Sequence, residues 1–226
     1  MIDARQPSGS HLLSTSYDAV LGVLADVSEA DSWNPTGCLG WAVRDLTHHL
    51  LADARRALVA LHTPSSQRAD RDAVGYWRDW GPDPEGAAQG RRHTRVAASM
   101  FLVWDQLRAG YAETAHAVVH AARHADPDQV VGTQGHVLSV EDLLSTLCVE
   151  ATIHHLDLVV GLPGAPGPTG EGLTEVRRIL DGLLGRAPAS GWTAERYALV
   201  ATGRADPDDG ERRDLGDLLA RVPVLC

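Results

Sequence analysis

The stretch from Ser139 to Val160 restricts the fold of this chain more than any other. Leu143, Leu147, Ala151, His154 and Leu158 recur at three- and four-residue intervals, the spacing of one face of an α-helix. Glu150 and His154 are one helical turn apart on that face, about 40° from each other at roughly 100° per residue. His154 therefore points into the core, and a carboxylate lies at the edge of the same apolar stripe. A charge in that position is costly unless a partner meets it. An imidazole and a carboxylate converging in this way form part of a metal site, so the fold must bring a third group to them.

Three more stretches have the same period. His11–Glu29 carries Leu12, Leu13, Tyr17, Val20, Leu21, Leu24 and Val27; Trp41–Leu61 carries Val43, Leu46, Leu50, Ala54, Ala57, Leu58 and Leu61. Arg92–His124 carries Phe101, Trp104, Leu107, Tyr111, Ala115, Val118 and Ala122, and reads as one long helix ended by Ala125-Asp126-Pro127. The fourth helix starts after Ser139, with Asp142 at the third position of a capping box. Four amphipathic helices predict an all-α bundle. We place the bundle at residues 1–162. A Gly/Pro linker and a short, mainly helical C-terminal extension follow at 163–226, with helical patterns at Leu173–Leu184, Ala194–Ala201 and Arg212–Val222, packed on the bundle. No strand-rich region is evident.

Composition narrows the partners. A formal charge of −10 argues against nucleic acid, which needs a basic face, and no apolar run is long enough to span a bilayer. Without a signal pattern at Met1–Ser16, a cytoplasmic location is expected. Every basic residue is Arg and none is Lys, which points to a high-GC, actinobacterial source. Cys38, Cys148 and Cys226 form neither a disulfide framework nor a Cys-x-x-Cys site. Cys38, just before a helix, reads as a small buried loop residue, and Cys148 faces away from Glu150. Trp33 and Trp41 read as core.

For the third ligand, the ladder His116, His120 and His124 lies about 165° from its own apolar stripe and reads as a solvated face. The doublet His48-His49 is better placed. Relative to the Val43 stripe, His48 falls in the middle of the polar face, while His49 lies on the flank about 110° from the stripe centre. Geometry prefers His49 by a narrow margin. By the same test His154 is preferred to His155. His49, Glu150 and His154 would suit Zn²⁺ with an open position or non-haem Fe(II); nickel is a further option. Asp157 is a candidate to orient a ligand imidazole, or a polar helix-end residue. Arg91, Arg92 and Arg95 are candidates to receive an anionic substrate. In the long 64–90 connection, Trp77 and Trp80 either line a pocket or dock the loop.

Gly40-Trp41-Ala42-Val43-Arg44-Asp45-Leu46-Thr47-His48-His49-Leu50 and Glu150-x-x-x-His154-x-x-Asp157-Leu158 together resemble the two halves of the signature of the mycothiol-dependent maleylpyruvate isomerase family, within the DinB-like group of metal-binding four-helix bundles. The resemblance covers roughly residues 10–162. It implies a divalent metal, usually zinc, on His49, Glu150 and His154, and mycothiol as thiol cosubstrate. The family's isomerase carries a further C-terminal α/β domain; the tail here does not read as that domain but resembles the shorter extension common in family members, with Tyr197–Arg204 as the recognisable piece of that extension. The expected function is therefore that of a thiol S-transferase or thiol-dependent isomerase acting on a small electrophilic substrate, rather than maleylpyruvate isomerisation in particular. A non-catalytic metal-containing bundle and a metal hydrolase or iron enzyme on the same ligands are the competing classes. A homodimer is compatible with the sequence.

Overall fold

Four long helices surround the core: α1 (Gly9–Ala25), α2 (Val43–Leu61), α5 (Trp104–His124) and α6 (Val140–Val159). The structure, a computed structural model, describes residues 7–80, 84–188 and 191–225; Cys226 lies outside them. Helices α1 and α2 each pack on both α5 and α6. The chain thus crosses the bundle between its first two long helices instead of folding back on a neighbour. The central layer is built from Leu13, Val20 and Leu24 of α1, Leu46, Leu50 and Ala54 of α2, Leu107, Tyr111 and Val118 of α5, and Leu143, Leu147 and Leu158 of α6. Among the described residues, no helix is long and apolar enough to cross a membrane.

Local chemistry sets the helix starts. Ser139 Oγ accepts from the Asp142 N–H at 3.0 Å and donates to its carboxylate at 2.6 Å, so the cap predicted for α6 is formed. Ala42 has no side-chain acceptor for α2. Instead the Asp45 carboxylate reaches back to the Ala42 N–H at 2.9 Å, which is half of a capping box.

The predicted single helix Arg92–His124 is two. Helix α4 spans Pro84–Ala98 and packs on α2; α5 begins at Trp104 after an extended Val103. Groups that a continuous helix would use internally are held from outside. Glu29 Oε2 accepts from the Trp104 N–H at 2.7 Å, and the Phe101 carbonyl accepts from Arg44 Nη2 at 2.9 Å. Trp104 is locked in place by its indole N–H on the Val27 carbonyl, 2.8 Å away. Trp33, expected in the core, is 62% exposed, with the Arg44 guanidinium stacked 4.0 Å over its ring.

Two short strands also appear where none was expected. β1 (Val130–Thr133) and β2 (His136–Ser139) pair antiparallel, with Val131 opposite Leu138. Gln134 and Gly135 both have positive φ (48° and 82°), the backbone of a tight two-residue hairpin turn. Within the 64–90 connection, α3 (Ala73–Tyr76) is anchored by the Ala73 N–H on Asp142 Oδ1 at 2.9 Å.

Beyond the linker come α7 (Gly170–Leu184), α8 (Ala194–Ala201) and α9 (Asp209–Leu215), then a 3₁₀ turn at Gly216–Arg221. Helix α7 packs on α6, and α8 packs on α7. This creates a second core in which Val149, Ile153 and Leu156 of α6 meet Val176, Ile179 and Leu180 of α7 and Tyr197, Val200 and Ala201 of α8. Helix α6 is apolar on two faces because it serves both cores, as expected for a helix buried all round.

Candidate metal centre

Helices α2 and α6 bring His49, Glu150 and His154 together, with one potential ligand atom of each within 4.8 Å of the others. His49 Nε2 lies 2.9 Å and His154 Nε2 3.4 Å from the same oxygen, Glu150 Oε1, and the two rings meet edge to face at 4.7 Å. The Glu150 side chain is 21% exposed. Burial pushes its carboxyl up, but the His154 and His49 imidazoles outweigh burial and hold it well below the ordinary carboxylate range. The Trp41 ring covers this group, 5.2 Å from the His49 ring and 6.4 Å from that of His154. Its indole N–H donates to the Arg91 carbonyl at 3.2 Å, which ties α4 to the rim.

The donor set fits a divalent metal. Two imidazole nitrogens and a carboxylate oxygen are the ligand types of open, three-protein-ligand zinc sites. His154 Nδ1 is engaged with Asp157 Oδ2 at 2.9 Å, so its Nε2, which faces Glu150, is the nitrogen left to coordinate. Cys38, His154 and Asp157 form a second compact group. There, however, Arg204 already holds both Asp157 oxygens, Nε to Oδ1 and Nη2 to Oδ2, each at 2.8 Å. A cation is therefore present, and that group reads as an ion-pair cluster. Burial pushes the Asp157 carboxyl up, while His154 and Arg204 pull it far below its usual range.

His48 turns away, its ring 6.0 Å from Phe101 and its Nδ1 buried. His155 is also buried, at 1% exposure, but under the linker, where its Nε2 meets the Pro166 carbonyl at 2.9 Å. His116, His120 and His124 are exposed. Arg92 and Arg95 are exposed on α4. Trp77 is packed in the second core and docks the connection, whereas Trp80 is 41% exposed and leans on Tyr76 of the same connection, 5.9 Å between rings. Cys148 is buried against Ser16 Oγ at 3.3 Å, and burial raises its thiol to about 11.

Sequence reasoning missed four contributors. Trp41 was assigned to the core, but it also covers the imidazoles. Cys38 is only half-buried and donates to Asp157 Oδ2 at 3.2 Å. Arg204 comes from the tail and has no spacing relation to the bundle motifs. Arg56 of α2 is half-buried, paired with Asp53 and donating to Thr133 Oγ1 at 2.8 Å. Burial disfavours its charge, but Asp53, Tyr76 and Glu150 outweigh burial and raise its pKa.

Compared with known proteins, residues 13–159 match the family model described as the mycothiol maleylpyruvate isomerase N-terminal domain. The chain belongs to this family. Among solved structures, it resembles the crystal structure titled mycothiol-dependent maleylpyruvate isomerase. The identity is 18% and the TM-score 0.54, covering 78% of this chain and 68% of that one, which establishes a shared fold. Among curated proteins, none matches it by sequence. The family match and the fold agree with the DinB-like bundle expected from the two motifs, and both halves of the signature lie inside the matched span.

Proposed function

We propose that this protein is a metal-dependent enzyme that uses mycothiol, or a similar low-molecular-weight thiol, as its nucleophile on a small electrophilic substrate, acting as an S-transferase or a thiol-dependent isomerase. The observation that carries the reading is the convergence of His49, Glu150 and His154 on one point in a chain of this family. We treat residues 1–162 as the metal-binding bundle and 163–226 as the extension packed on it, in a cytoplasmic, actinobacterial protein.

In this reading His49 Nε2, His154 Nε2 and Glu150 hold a zinc ion. When bound, such a metal supplies positive charge that favours the thiolate form of a thiol. The protein's own groups prepare the site. Asp157 accepts a hydrogen bond from His154 Nδ1 and fixes the ring, and Glu150 supplies the anionic donor. The Trp41 ring screens the imidazoles from water, which strengthens every electrostatic interaction near them. Attack of the thiolate on an electrophilic carbon forms a carbon–sulfur bond while the displaced electron pair departs with a leaving group or, where a carbon–carbon double bond is opened, moves to the neighbouring carbon, whose protonation completes the thioether. If that adduct instead rotates about the former double bond, the electron pair returns, the double bond re-forms and the thiolate is expelled, which gives an isomerised product and regenerates the nucleophile.

The test is mass spectrometry of reactions containing the purified protein, mycothiol and a panel of electrophiles, with and without a chelator. The expected result is conversion of at least one electrophile that requires the thiol, stops with the chelator and returns with zinc. Turnover without any thiol, or full turnover by metal-free protein, would overturn the reading.

A further inference from the structure

We propose that Arg204 is a positioning residue for the metal site, so that the C-terminal extension sets the geometry of His154 through Asp157. The proposal rests on the metal reading above and adds to it a residue outside the segment matched by the family model, which ends at 159.

Asp157 is 2% exposed. A carboxylate buried to that degree must be fully partnered, and the Arg204 fork supplies two parallel bonds of 2.8 Å, one to each oxygen. Paired N–H groups aligned on a carboxylate fix its plane as well as its position. With the plane fixed, Oδ2 is directed at His154 Nδ1, 2.9 Å away. An ionised carboxylate only accepts hydrogen bonds, so Nδ1 is the donor and Nε2 is left with its lone pair toward Glu150. A hydrogen-bonded partner on the far nitrogen of a ligand imidazole typically sets both its tautomer and its orientation.

The surroundings crowd the carboxylate on its other sides, where the Cys38 thiol also donates to Oδ2 at 3.2 Å. The Gly37 N–H donates to the Asp157 carbonyl at 2.9 Å. Gly37 approaches so closely that a Cβ there would lie 2.5 Å from Asp157 Oδ1. Arg204 is itself held in place. It follows Gly203, whose φ is +73°, and its own N–H donates to the Leu199 carbonyl at 2.8 Å. The guanidinium is thus delivered by the turn that ends α8, and α8 is packed through α7 onto α6. A rigid path therefore runs from the second core to one ring nitrogen of a ligand. A mere ion pair stapling the tail to the bundle would support stability and nothing else. A positioning role also changes how tightly metal is held.

The experiment measures zinc affinity of the full chain by competition with a chromophoric chelator, for the wild type, Arg204→Ala, Arg204→Lys, Asp157→Asn and the double variant Arg204→Ala/Asp157→Asn. Apo-protein Tm and the visible spectrum of the Co²⁺-substituted form are recorded alongside. Arg204→Ala is expected to weaken zinc binding by about 10- to 100-fold and to alter the Co²⁺ spectrum. Arg204→Lys, which keeps the charge but loses the fork, should recover part of the affinity. Because Arg204 acts through Asp157, its loss should add little in the Asp157→Asn background. Wild-type zinc affinity in Arg204→Ala, whatever its Tm, would overturn the proposal. If that variant does not fold, wild-type affinity and spectrum in Arg204→Lys would do so. A wild-type chain that binds no zinc would remove the underlying metal reading, whereas binding by wild type and equally by every variant would remove only the role of Arg204.

Discussion

His49 Nε2 and Glu150 Oε1 lie 2.9 Å apart although they are 101 positions apart in the chain. The contact joins α2 to α6 across the bundle. It is also the point at which the two halves of the sequence signature meet. Neither helix could hold a metal alone; the pair of helices presents three donors to one position.

The first prediction concerns the choice within the His48-His49 doublet. His49→Ala should reduce bound zinc from about one equivalent to near zero, because two ligands on one helix make an incomplete site. His48→Ala should keep its zinc, since that ring faces Phe101. Metal analysis of the two purified variants decides between them. Zinc retained in His49→Ala and lost in His48→Ala would reverse the assignment.

Arg44 lies in the same signature and has a different task. It is 3% exposed and holds the Phe101 carbonyl, the Glu29 carboxylate at 3.4 Å and the Trp33 ring. Arg44→Ala is expected to destabilise the fold by about 2–4 kcal/mol, because it leaves the carbonyl at the α4–α5 break without its charged donor. The bound zinc per folded chain should not change. Chemical denaturation together with metal analysis checks both halves of this expectation.

Glu175 gives a prediction about pH. It joins α7 to α6, accepting from the Ser145 hydroxyl and from Arg178 Nε at 2.8 Å. Burial raises its pKa, but Arg178 and Ser145 outweigh burial and lower it. A carboxylate whose folded pKa is depressed contributes stability above its unfolded value of about 4.3, and that contribution is lost as pH falls through the folded value. Glu175→Gln should therefore be less stable than wild type at pH 7, by about 1–2 kcal/mol or roughly 2–8 °C in Tm. The gap should begin to narrow as pH falls below about 4.3 and close only once pH has fallen through the depressed folded value. Thermal melts from pH 3 to 8 would show it; a gap that does not vary with pH would exclude the ionised pair as its cause.

The cysteines should differ in reactivity. Cys38 is half-buried and Cys148 fully buried, with the Cys148 thiol raised to about 11. In the native protein at pH 7.5, iodoacetamide should label Cys38 well before Cys148, because alkylation needs both access and thiolate. Peptide mapping over a time course reads the order directly.

How much of this was legible before the fold was seen depends on which physical signal each residue carried. The α6 cap at Ser139 and the inward face of His154 follow from local periodicity and appear as expected. The preference for His49 came from the angle it makes with its own stripe, and the bundle turns that flank toward α6. The break between Ala98 and Trp104 left no mark in the apolar pattern, because its cause is Glu29 and Arg44, which lie far away in the sequence. The hairpin did leave a mark, in Val130-Val131 and Val137-Leu138 flanking Gln134-Gly135. His155 looked peripheral only while α6 was assumed to have one buried face. Arg204 was beyond reach, since a long-range ion pair has no period.

The two-faced burial of α6 also bears on how the protein can be divided. Cutting the chain after Leu162 would keep the whole family-matched segment, yet would expose Val149, Ile153 and Leu156 to water. At about 25 cal/mol per Å² of apolar surface, an unshielded row of that size drives self-association. The family-matched part of the sequence is thus expected to need its tail as a solubilising coat, and protein made for crystallisation or assay should retain both.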